Sequence, residues 1–480
     1  MQGINITKEE LKKQIAATSN FKSLGVDQVQ NFWIKQFPAL HKEYANALNR
    51  IMHNEEGPPE WLTEGLTYLL PKTQETQLPN KYRPITCLPT IYKMLTGIIT
   101  EKISHHFEVY NLISEEQAGG RKNTYGVKEQ LLLNKTILEN CRNRQTNLHM
   151  AWIDYKKAYD SVPHSWIIEC LKLYKVHPSI INFINEIIPN WKTSLKLYHE
   201  AGEITIPDVN IKRGIYQGDS LSPLLFIMAI DPLSKLINKS NTGYNLKRRS
   251  ECKTIVNHLL YMDDLKLYAA SESQLTKQLE IVKQFSDDIK MQFGLDKCGK
   301  LSLIKGKQSR SDGIQIDHDT FIRELERDEN YKYLGILENE KIDHKEMRNT
   351  VTKEYYSRIR KVLKTSLTPK NKITAINQLA IPILQNTFGV ITWPQNIING
   401  IDVKTRKLLT INKLFYKNQD HNRLYLPRRK GGMGLINVNQ SHRSTNITLA
   451  QYLTSSSRRK IKIIIIIIII MFISLKNTSF

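Results

Sequence analysis

The feature of this sequence that most constrains its fold is a pair of adjacent aspartates, Asp263 and Asp264, between two short β-forming segments. Residues 258–262 precede the pair and residues 265–269 follow it, and both segments are rich in apolar and aromatic side chains. This pattern predicts a β-hairpin with the two acids at its tip. Far upstream, the mainly apolar segment 148–154 has the length of a strand and ends on Asp154. If both belong to one sheet, three carboxylates converge at its edge.

Three converging carboxylates would repel one another unless cations lay between them. An oxygen-rich site of this kind suits Mg²⁺. Two such ions about 4 Å apart can activate a primer 3′-hydroxyl and stabilise a leaving pyrophosphate in an in-line displacement. We therefore expect nucleotidyl transfer with two Mg²⁺ ions as cofactors, for which Mn²⁺ could substitute.

An adjacent pair of aspartates is a weak signal alone, since the chain has a second pair. Asp287 and Asp288 lie within a helical pattern formed by Ile281, Phe285 and Ile289, and we expect them on a solvated face. The hairpin pair differs because it stands among ordered motifs, which are 154–160 (DYKKAYD), 216–223 (YQGDSLSP), 261–264 (YMDD), 294–298 (GLDKC) and 331–335 (YKYLG).

In order and spacing these motifs resemble the palm of reverse transcriptases. Over most of residues 20–440 the chain is similar to the polymerase of a non-LTR retrotransposon, of the kind that inserts by target-primed reverse transcription. The segment 423–435 (RLYLPRRKGGMGL) also resembles the sequence that follows the polymerase core in such elements. The resemblance implies RNA-directed DNA polymerase activity, with Asp154, Asp263 and Asp264 as the catalytic and metal-binding residues and Asp264 as the less direct ligand.

The resemblance also implies an α+β fold, a right-hand polymerase with an antiparallel palm sheet backed by helices, fingers and a helical thumb. Local patterns predict strands and loops from Trp61, a helical face beginning at Val127, a helix with Ser222 as N-cap and Pro223 as its first residue, and a basic helical stretch after Glu340. The predicted domains are an N-terminal helical extension (1–57), fingers (58–150), a palm with finger insertions (151–335), a basic helical thumb or connection (336–455) and a low-complexity tail (456–480).

Three residues match positions beside the incoming nucleotide. Tyr159 stands where the family places an aromatic ring that closes off the sugar 2′ position, and a filled site has no room for a ribose hydroxyl, so we expect dNTP selection. Gln217 and Gly218 match the loop near nucleotide and template, where glycine permits close backbone approach and glutamine offers an amide. The alternatives are simple packing of Tyr159 beside Ala158 and a plain turn at Gln217 and Gly218.

Three basic residues are candidates for contacting the triphosphate. Arg83 matches the fingers arginine that grips it, and a planar guanidinium suits bidentate phosphate recognition. Lys72 is a second candidate, with an exposed surface lysine as the alternative. Lys297 matches the family's late palm lysine and is a candidate for protonating pyrophosphate, with a solvated side chain as the alternative.

The charge balance indicates an acidic partner. Lys and Arg total 69 against 46 Asp and Glu, a formal net charge of +23. The expected partners are dNTPs and an RNA template with a DNA primer, or their heteroduplex, because neutralised phosphates release counterions and strengthen binding. A basic cluster in the thumb region is the expected heteroduplex surface, although each member alone fits a solvated face: Lys353, Arg358, Arg360, Lys361, Lys364, Arg406, Lys407 and Lys413.

The C-terminus carries eight consecutive isoleucines at 463–470. The apolar stretch of about 13 residues is shorter than a membrane helix needs. We expect a low-complexity tail without stable membrane association, with a membrane or aggregation segment as the alternative. The chain shows neither an endonuclease motif nor a secretory leader, so we expect a truncated reading frame and an intracellular location, in nucleus or cytoplasm. The oligomeric state stays open.

Two other functions fit parts of this pattern. An RNA-dependent RNA polymerase shares the palm geometry, but it should carry a small or hydrogen-bonding residue in place of Tyr159. A non-catalytic nucleic-acid-binding remnant of a decayed element would keep the motifs without extending a primer. Primer extension on RNA with Mg²⁺ distinguishes these possibilities.

Overall fold

The computed structural model describes residues 4–72, 78, 81–122, 124–199, 202–247, 253–416 and 418–456. The N-terminal part is helical: α1 (Lys8–Ala17), α2 (Asn31–Gln36), α3 (His41–Met52) and α4 (Glu60–Thr63). Helix α1 begins with a capping box, in which the Thr7 hydroxyl accepts a hydrogen bond from the Glu10 N–H at 3.1 Å and the Glu10 carboxylate accepts one from the Thr7 N–H at 3.0 Å. Its buried Leu11 and Ile15 face the core.

Two strands and two long helices follow: β1 (Glu64–Pro71), β2 (Tyr82–Cys87), α5 (Thr90–Val109) and α6 (Val127–Arg144). The helical pattern predicted from Val127 is confirmed by α6. The strands and loops predicted from Trp61 through the segment 81–86 are confirmed by β1 and β2, apart from Trp61 itself, which lies in α4. No prediction covered α5, a continuous helix of 20 residues. Its β-branched residues and Gly97 disfavour helix by propensity, and burial on both sides blurs its periodicity.

A strand, three helices and a β-hairpin come next: β3 (Leu148–Ile153), α7 (Ala158–Ser161), α8 (His164–Leu173), α9 (Pro178–Ile187), β4 (Lys192–His199) and β5 (Gly202–Asn210). The hairpin joins the first two strands in a four-stranded sheet of order β2-β1-β4-β5. The Thr67 hydroxyl links three of these strands, because it lies 2.8 Å from the Thr86 hydroxyl and 2.7 Å from that of Thr193.

The central part of the chain contains α10 (Ser222–Lys239), β6 (Tyr244–Lys247), β7 (Lys253–Val256), β8 (His258–Tyr261), β9 (Asp264–Ala269), α11 (Glu272–Asp288), β10 (Gly299–Ile304) and β11 (Lys307–Gln308). The predicted N-cap of α10 is wrong by one residue. The helix includes Ser222, its N-cap is Leu221, and no side chain caps it. Pro223 still lies in the first turn, where a missing N–H is tolerated.

A five-stranded sheet of order β11-β10-β3-β9-β8 forms the centre of the molecule, with every pair antiparallel. Strand β3 is buried along its whole length. Ala151 and Ile153 face a core shared with α8, α10 and α11, whereas Met150 and Trp152 face a second core shared with the C-terminal helices. Helices therefore cover both faces, and the few polar residues inside the strands, such as Lys266 and Lys300, are buried.

The C-terminal part has two short hairpins and six helices in the described residues: β12 (Ile314–Asp317), β13 (Thr320–Ile322), β14 (Tyr331–Tyr333), β15 (Ile336–Glu338), α12 (His344–Leu363), α13 (Pro369–Leu379), α14 (Ile381–Thr387), α15 (Gln395–Ile411), α16 (His421–Tyr425) and α17 (Val438–Ser455). The predicted helical stretch after Glu340 is confirmed. The proposed domain boundary at residue 335 falls at the turn between β14 and β15. The isoleucine tract at 463–470 lies outside the described residues.

Among the helices of the described ranges, none has the length and apolarity needed to cross a membrane.

Candidate active site

The hairpin that carries the acid pair has the predicted form. Strands β8 and β9 pair antiparallel with Tyr261 opposite Asp264, so Met262 and Asp263 form the turn. Met262 has a φ of +56°. This left-handed conformation is the one that tight hairpin turns use, and residues other than glycine, asparagine and aspartate seldom adopt it.

A buried glutamine that the sequence analysis missed stabilises this turn. The Gln117 Oε1 accepts a hydrogen bond from the Met262 N–H at 2.9 Å, and its Nε2 donates to the Met262 carbonyl at 3.3 Å. The same oxygen accepts a bond from the Gly119 N–H at 2.9 Å. One buried amide thus satisfies both backbone groups of the unusual residue. The only sequence signal was its place before the glycine pair 119–120.

The three aspartates of the prediction, here called the acid triad (Asp154, Asp263 and Asp264), meet at this turn. Ile153 lies opposite Leu265, so Asp154 and Asp264 are the next residues outward on two paired strands. Burial raises the pKa of Asp263, and the negative charge of Asp154 raises it further. Partial burial, together with the charges of Asp263 and Asp154, raises the pKa of Asp264 to about 6. Each carboxylate of the hairpin pair therefore experiences the charges of its neighbours.

The Asp154 carboxylate is turned toward a lysine. Lys297 Nζ donates a hydrogen bond to Asp154 Oδ2 at 3.1 Å. Burial opposes the charged form of Lys297, but this bond and the charge of Asp154 raise its pKa overall. Across the described ranges, no three His, Cys, Asp or Glu side chains are grouped as a metal site. The metal site stays a prediction, and the cationic partner of Asp154 is an ammonium group.

The motif 294–298 forms the loop that brings Lys297 to Asp154. The Gly294 N–H donates to the Asp154 carbonyl at 2.7 Å, and the Asp154 N–H donates to Cys298 Sγ at 3.4 Å. A Cβ at position 294 would lie 2.6 Å from Asp154 Oδ2. Glycine at this position therefore leaves the space that the carboxylate occupies.

The structure brings together the three predicted triphosphate contacts, here called the basic trio (Lys72, Arg83 and Lys297). Partial burial lowers the pKa of Lys72, and the positive charges of Arg83 and Lys297 lower it further. Arg83 and Lys297 also act on Asp263, whose pKa they lower against the effect of burial. The basic trio and the acid triad therefore belong to one site, with charges of both signs.

Tyr159 lies at the edge of this site. Its ring stacks on Phe226 of α10, with ring centroids 4.8 Å apart and an interplanar angle of 6°. Burial raises the pKa of Tyr159, and the negative charge of Asp263 raises it further. The ring is half-buried, so it is held by packing on one side and faces the region of the acids.

Gln217 and Gly218 lie against β2. The Gln217 carbonyl accepts a hydrogen bond from the Thr86 N–H at 2.8 Å, and its Nε2 donates to Asp160 Oδ1 at 3.1 Å. Gly218 has a φ of +142°, and a Cβ there would lie 2.2 Å from the Thr86 carbonyl oxygen. Only glycine fits this approach to the strand that carries Arg83.

Asp219, which the sequence analysis gave no role, anchors the same loop. Its Oδ1 accepts hydrogen bonds from the Thr96 hydroxyl and from the Ser220 N–H, both at 2.6 Å. Burial raises its pKa to about 6. The residue stands inside the motif 216–223, but its role depends on α5, the helix that the local pattern did not predict.

A comparison with protein families decides the classification. The model described as "Reverse transcriptase (RNA-dependent DNA polymerase)" matches residues 70–337, which is more than half of the chain. The chain belongs to the reverse transcriptase family. The matched range includes the acid triad, the basic trio, Tyr159 and the 217–218 loop, and the predicted α+β polymerase fold is confirmed.

Similar curated proteins place this reverse transcriptase among those of non-LTR retrotransposons, as expected. The chain is 28% identical over 299 residues to the Pol polyprotein of the type-1 retrotransposable element R2 of Nasonia vitripennis, covering 61% of this chain and 27% of that protein. It is 22% identical over 418 residues to the Pol polyprotein of the type-2 element R2DM of Drosophila melanogaster, covering 82% and 37%. The chain thus spans about a quarter to just over a third of these two relatives.

Among solved structures, apo telomerase from Candida tropicalis is similar, with a TM-score of 0.41 and 13% identity, covering 88% of this chain and 74% of that one.

The predicted heteroduplex residues of this reverse transcriptase lie on α12, α15 and the segments after them, and they differ in how they are held. Arg358 forms hydrogen bonds within the protein. Its Nε donates to Glu354 at 2.8 Å, and its guanidinium donates to the Leu379 carbonyl at 2.9 Å. Arg406 donates to the Tyr425 hydroxyl at 3.1 Å. Arg358 is nevertheless exposed, and so are six other members of the cluster: Lys353, Arg360, Lys361, Lys364, Lys407 and Lys413.

Proposed function

We propose that this chain is an RNA-directed DNA polymerase, which adds dNTPs to a DNA 3′ end on an RNA template by two-metal nucleotidyl transfer. The observation that carries the proposal is the meeting of the acid triad and the basic trio at one end of the five-stranded sheet. Carboxylates can hold divalent cations there, and the basic side chains can hold a triphosphate next to them.

The donor set of the acid triad suits Mg²⁺, because carboxylate oxygens are the ligands that this ion prefers. We assign Asp154 and Asp263 as the main ligands and Asp264 as a less direct one. The ammonium group of Lys297 lies 3.1 Å from Asp154, which supports a cation-binding position at that carboxylate. When bound, two Mg²⁺ ions supply activation of the 3′-hydroxyl and neutralisation of the leaving pyrophosphate, and Mn²⁺ could substitute.

The basic trio binds and orients the triphosphate in this proposal. The Arg83 guanidinium can hold two phosphate oxygens in a fixed geometry, and Lys72 adds a second positive charge. Lys297 keeps its proton, since its contact with Asp154 raises its pKa. The Lys297 ammonium, beside Asp154, would donate to an oxygen of the leaving pyrophosphate.

Tyr159 selects the sugar in this proposal. Its stacking on Phe226 holds the ring in one position, and a ring held in this way leaves no volume for a ribose 2′-hydroxyl. The Gln217 and Gly218 loop, held against β2, is assigned to the nucleotide and template side. An RNA template with a DNA primer, or their heteroduplex, is the proposed partner of the basic thumb cluster, with Arg358, Arg360, Lys361, Lys364 and Lys413 as contacts.

Primer extension by the purified chain tests the proposal. The wild-type chain should extend a DNA primer on an RNA template in Mg²⁺, and Asp154→Asn should abolish extension while heteroduplex binding, measured by fluorescence anisotropy, is kept. Asp287→Asn is the matched control, because this exposed helical aspartate is paired with Lys283, and it should extend like the wild type.

Two results would contradict the proposal. One is extension by Asp154→Asn at the wild-type rate. The other is heteroduplex binding by the wild-type chain without any extension, the behaviour of a non-catalytic remnant.

A further inference from the structure

A fully buried ion pair lies behind the acid triad. The side chains of Lys266 on β9 and Glu338 at the end of β15 have no exposed surface, and the Lys266 Nζ lies 2.5 Å from Glu338 Oε1. Glu338 Oε1 also accepts a hydrogen bond from the Trp152 indole N–H at 3.0 Å. One carboxylate therefore binds a side chain from each of the two central strands.

The positions of these two strand residues matter. Trp152 and Lys266 are direct cross-strand partners in the sheet. Trp152 stands two residues before Asp154, and Lys266 stands two residues after Asp264. Side chains two apart on a strand share a face, so Glu338 binds both strands one step inward from the carboxylates that the proposed reaction uses.

A helix completes the unit. Asn134 of α6 accepts hydrogen bonds from Lys266 Nζ at 2.7 Å and from the Tyr268 hydroxyl at 2.8 Å, and its amide donates to Glu338 Oε2. The Lys266 ammonium also lies over the Trp152 ring, 4.6 Å from its centroid. Oriented donors and acceptors on every side fix the position of each group, because an unmade buried hydrogen bond is costly.

The stability of the fold alone does not explain why this charged pair is buried. Removing two charges from water is costly, and well-packed apolar side chains of similar volume are often equally or more stabilising. A buried, fully bonded pair instead specifies one arrangement of the parts that it joins. Here it joins β3, β9, α6 and the β14–β15 hairpin, whose Tyr331 also reaches the active-site loop by donating from its hydroxyl to the Lys297 carbonyl at 2.9 Å.

We propose that Glu338, with Lys266, Asn134 and Trp152, is a positioning unit that holds the β3 and β9 carboxylates at the separation needed for metal binding. The inference rests on the proposed function of the acid triad. These residues touch neither substrate nor metal; they act through the strands that carry Asp154 and Asp264. Outer residues that orient metal ligands commonly contribute about 10- to 100-fold to metal affinity or activity.

The test compares two double variants of the full chain. Lys266→Met with Glu338→Leu replaces the buried pair by apolar side chains. Lys300→Met with Glu324→Leu is the control. Lys300 is also fully buried and pairs with Glu324 at 3.3 Å, as well as with the more exposed Glu272 at 2.6 Å. Its position next to Leu301 places it on the opposite sheet face. Three quantities are measured: the melting temperature, the affinity for Tb³⁺ by luminescence titration, and kcat and KM for single-nucleotide extension.

We expect the Lys266/Glu338 variant to stay folded with a lower melting temperature, because the Trp152 indole N–H and the Asn134 amide lose their partner. It should bind Tb³⁺ at least about tenfold more weakly and lose about tenfold or more in kcat with little change in KM for dNTP. The control variant should keep Tb³⁺ affinity and kcat. Unchanged Tb³⁺ affinity in the Lys266/Glu338 variant overturns the inference, as does an equal loss in the control.

A milder variant covers the case in which the first one does not fold. Trp152→Phe keeps an aromatic ring on β3 but removes the hydrogen bond to Glu338, and a severalfold weaker Tb³⁺ affinity is expected. Unchanged affinity contradicts the inference. If the wild-type chain binds Tb³⁺ through Asp154 but extends no primer, the proposed function fails, while the Tb³⁺ comparison still decides the positioning role.

Discussion

Two regions of this molecule carry the same dipeptide, and they differ in almost every physical respect. Asp263 and Asp264 stand at a hairpin turn beside Asp154, and their environment raises the pKa of both carboxyls. Asp287 and Asp288 end helix α11 and are exposed.

The helical pair is held by side chains of its own helix. Asp287 accepts hydrogen bonds from Lys283 one turn earlier, at 2.5 and 2.7 Å, and Asp288 accepts one from Gln284 at 3.0 Å. Such i,i+4 contacts suit carboxylates near a helix C-terminus, where the helix dipole disfavours negative charge. The comparison teaches that acids become a candidate metal site where the fold buries them beside one another, and not where each is exposed and held by a side chain of its own helix.

The largest expected effect separates the two pairs directly. Asp263→Asn should lower primer extension by on the order of a thousandfold or more, because a metal ligand contributes several kcal/mol of charge stabilisation. Asp288→Asn should leave the rate unchanged within about twofold. The measurement is the single-nucleotide extension rate at saturating dNTP, and equal rates for the two variants would break the comparison.

The second prediction uses Tyr159, the aromatic neighbour of the hairpin pair. Tyr159→Val removes the ring beside Asp263, so ribonucleotides should be admitted and the ratio of dNTP to rNTP incorporation should fall by about 10- to 100-fold. Phe285→Leu, a buried aromatic change on the helix of the second pair, is the control and should leave the ratio unchanged. An unchanged ratio in Tyr159→Val would mean that the ring only packs.

The third prediction concerns pH. In metal-free protein the folded state raises the pKa of Asp264 from 3.8 to about 6. Between these values the folded protein holds a proton that the unfolded chain releases, so this group's contribution to stability falls as pH rises from about 4 to 6. The asparagine of Asp264→Asn does not titrate, so this variant does not lose that stability as pH rises.

The difference in melting temperature between Asp264→Asn and the wild type, measured in EDTA, should therefore rise between pH 4.5 and pH 7.5 by on the order of 2 °C. A flat profile for Asp264→Asn would indicate that its carboxyl is solvated like the helical pair.

The smallest expected effect extends the comparison to basic residues. Lys361 is exposed on α12, whereas Arg358 on the same helix is held by Glu354 and the Leu379 carbonyl. Lys361→Ala should reduce the slope of heteroduplex affinity against salt concentration by about one unit, as loss of one phosphate contact does. Arg358→Ala should change this slope less, and the reverse order would show that Arg358 exchanges its internal partners for phosphate.

The local sequence pattern predicted secondary structure correctly where the residues of one segment determine its conformation. The segments rich in apolar and aromatic residues on both sides of Asp263 and Asp264 led to the hairpin, and the apolar run before Asp154 led to a strand that ends there. Helix α5 was missed for the opposite reason. Its β-branched residues favour strands locally, and packing against α1 and α4 decided its conformation.

By itself the sequence determined the chemical types in the site, their order along the chain and the family, since these are properties of residues and spacing. Only the tertiary structure decided which groups meet. Lys72 and Arg83 reach the acid triad, Gln117 supports the turn at Met262, and Glu338 binds Trp152 and Lys266. Each of these contacts joins segments far apart in the chain, and the pairing of β3 with β9 that permits them depends on side-chain packing across the whole sheet, which no local pattern encodes.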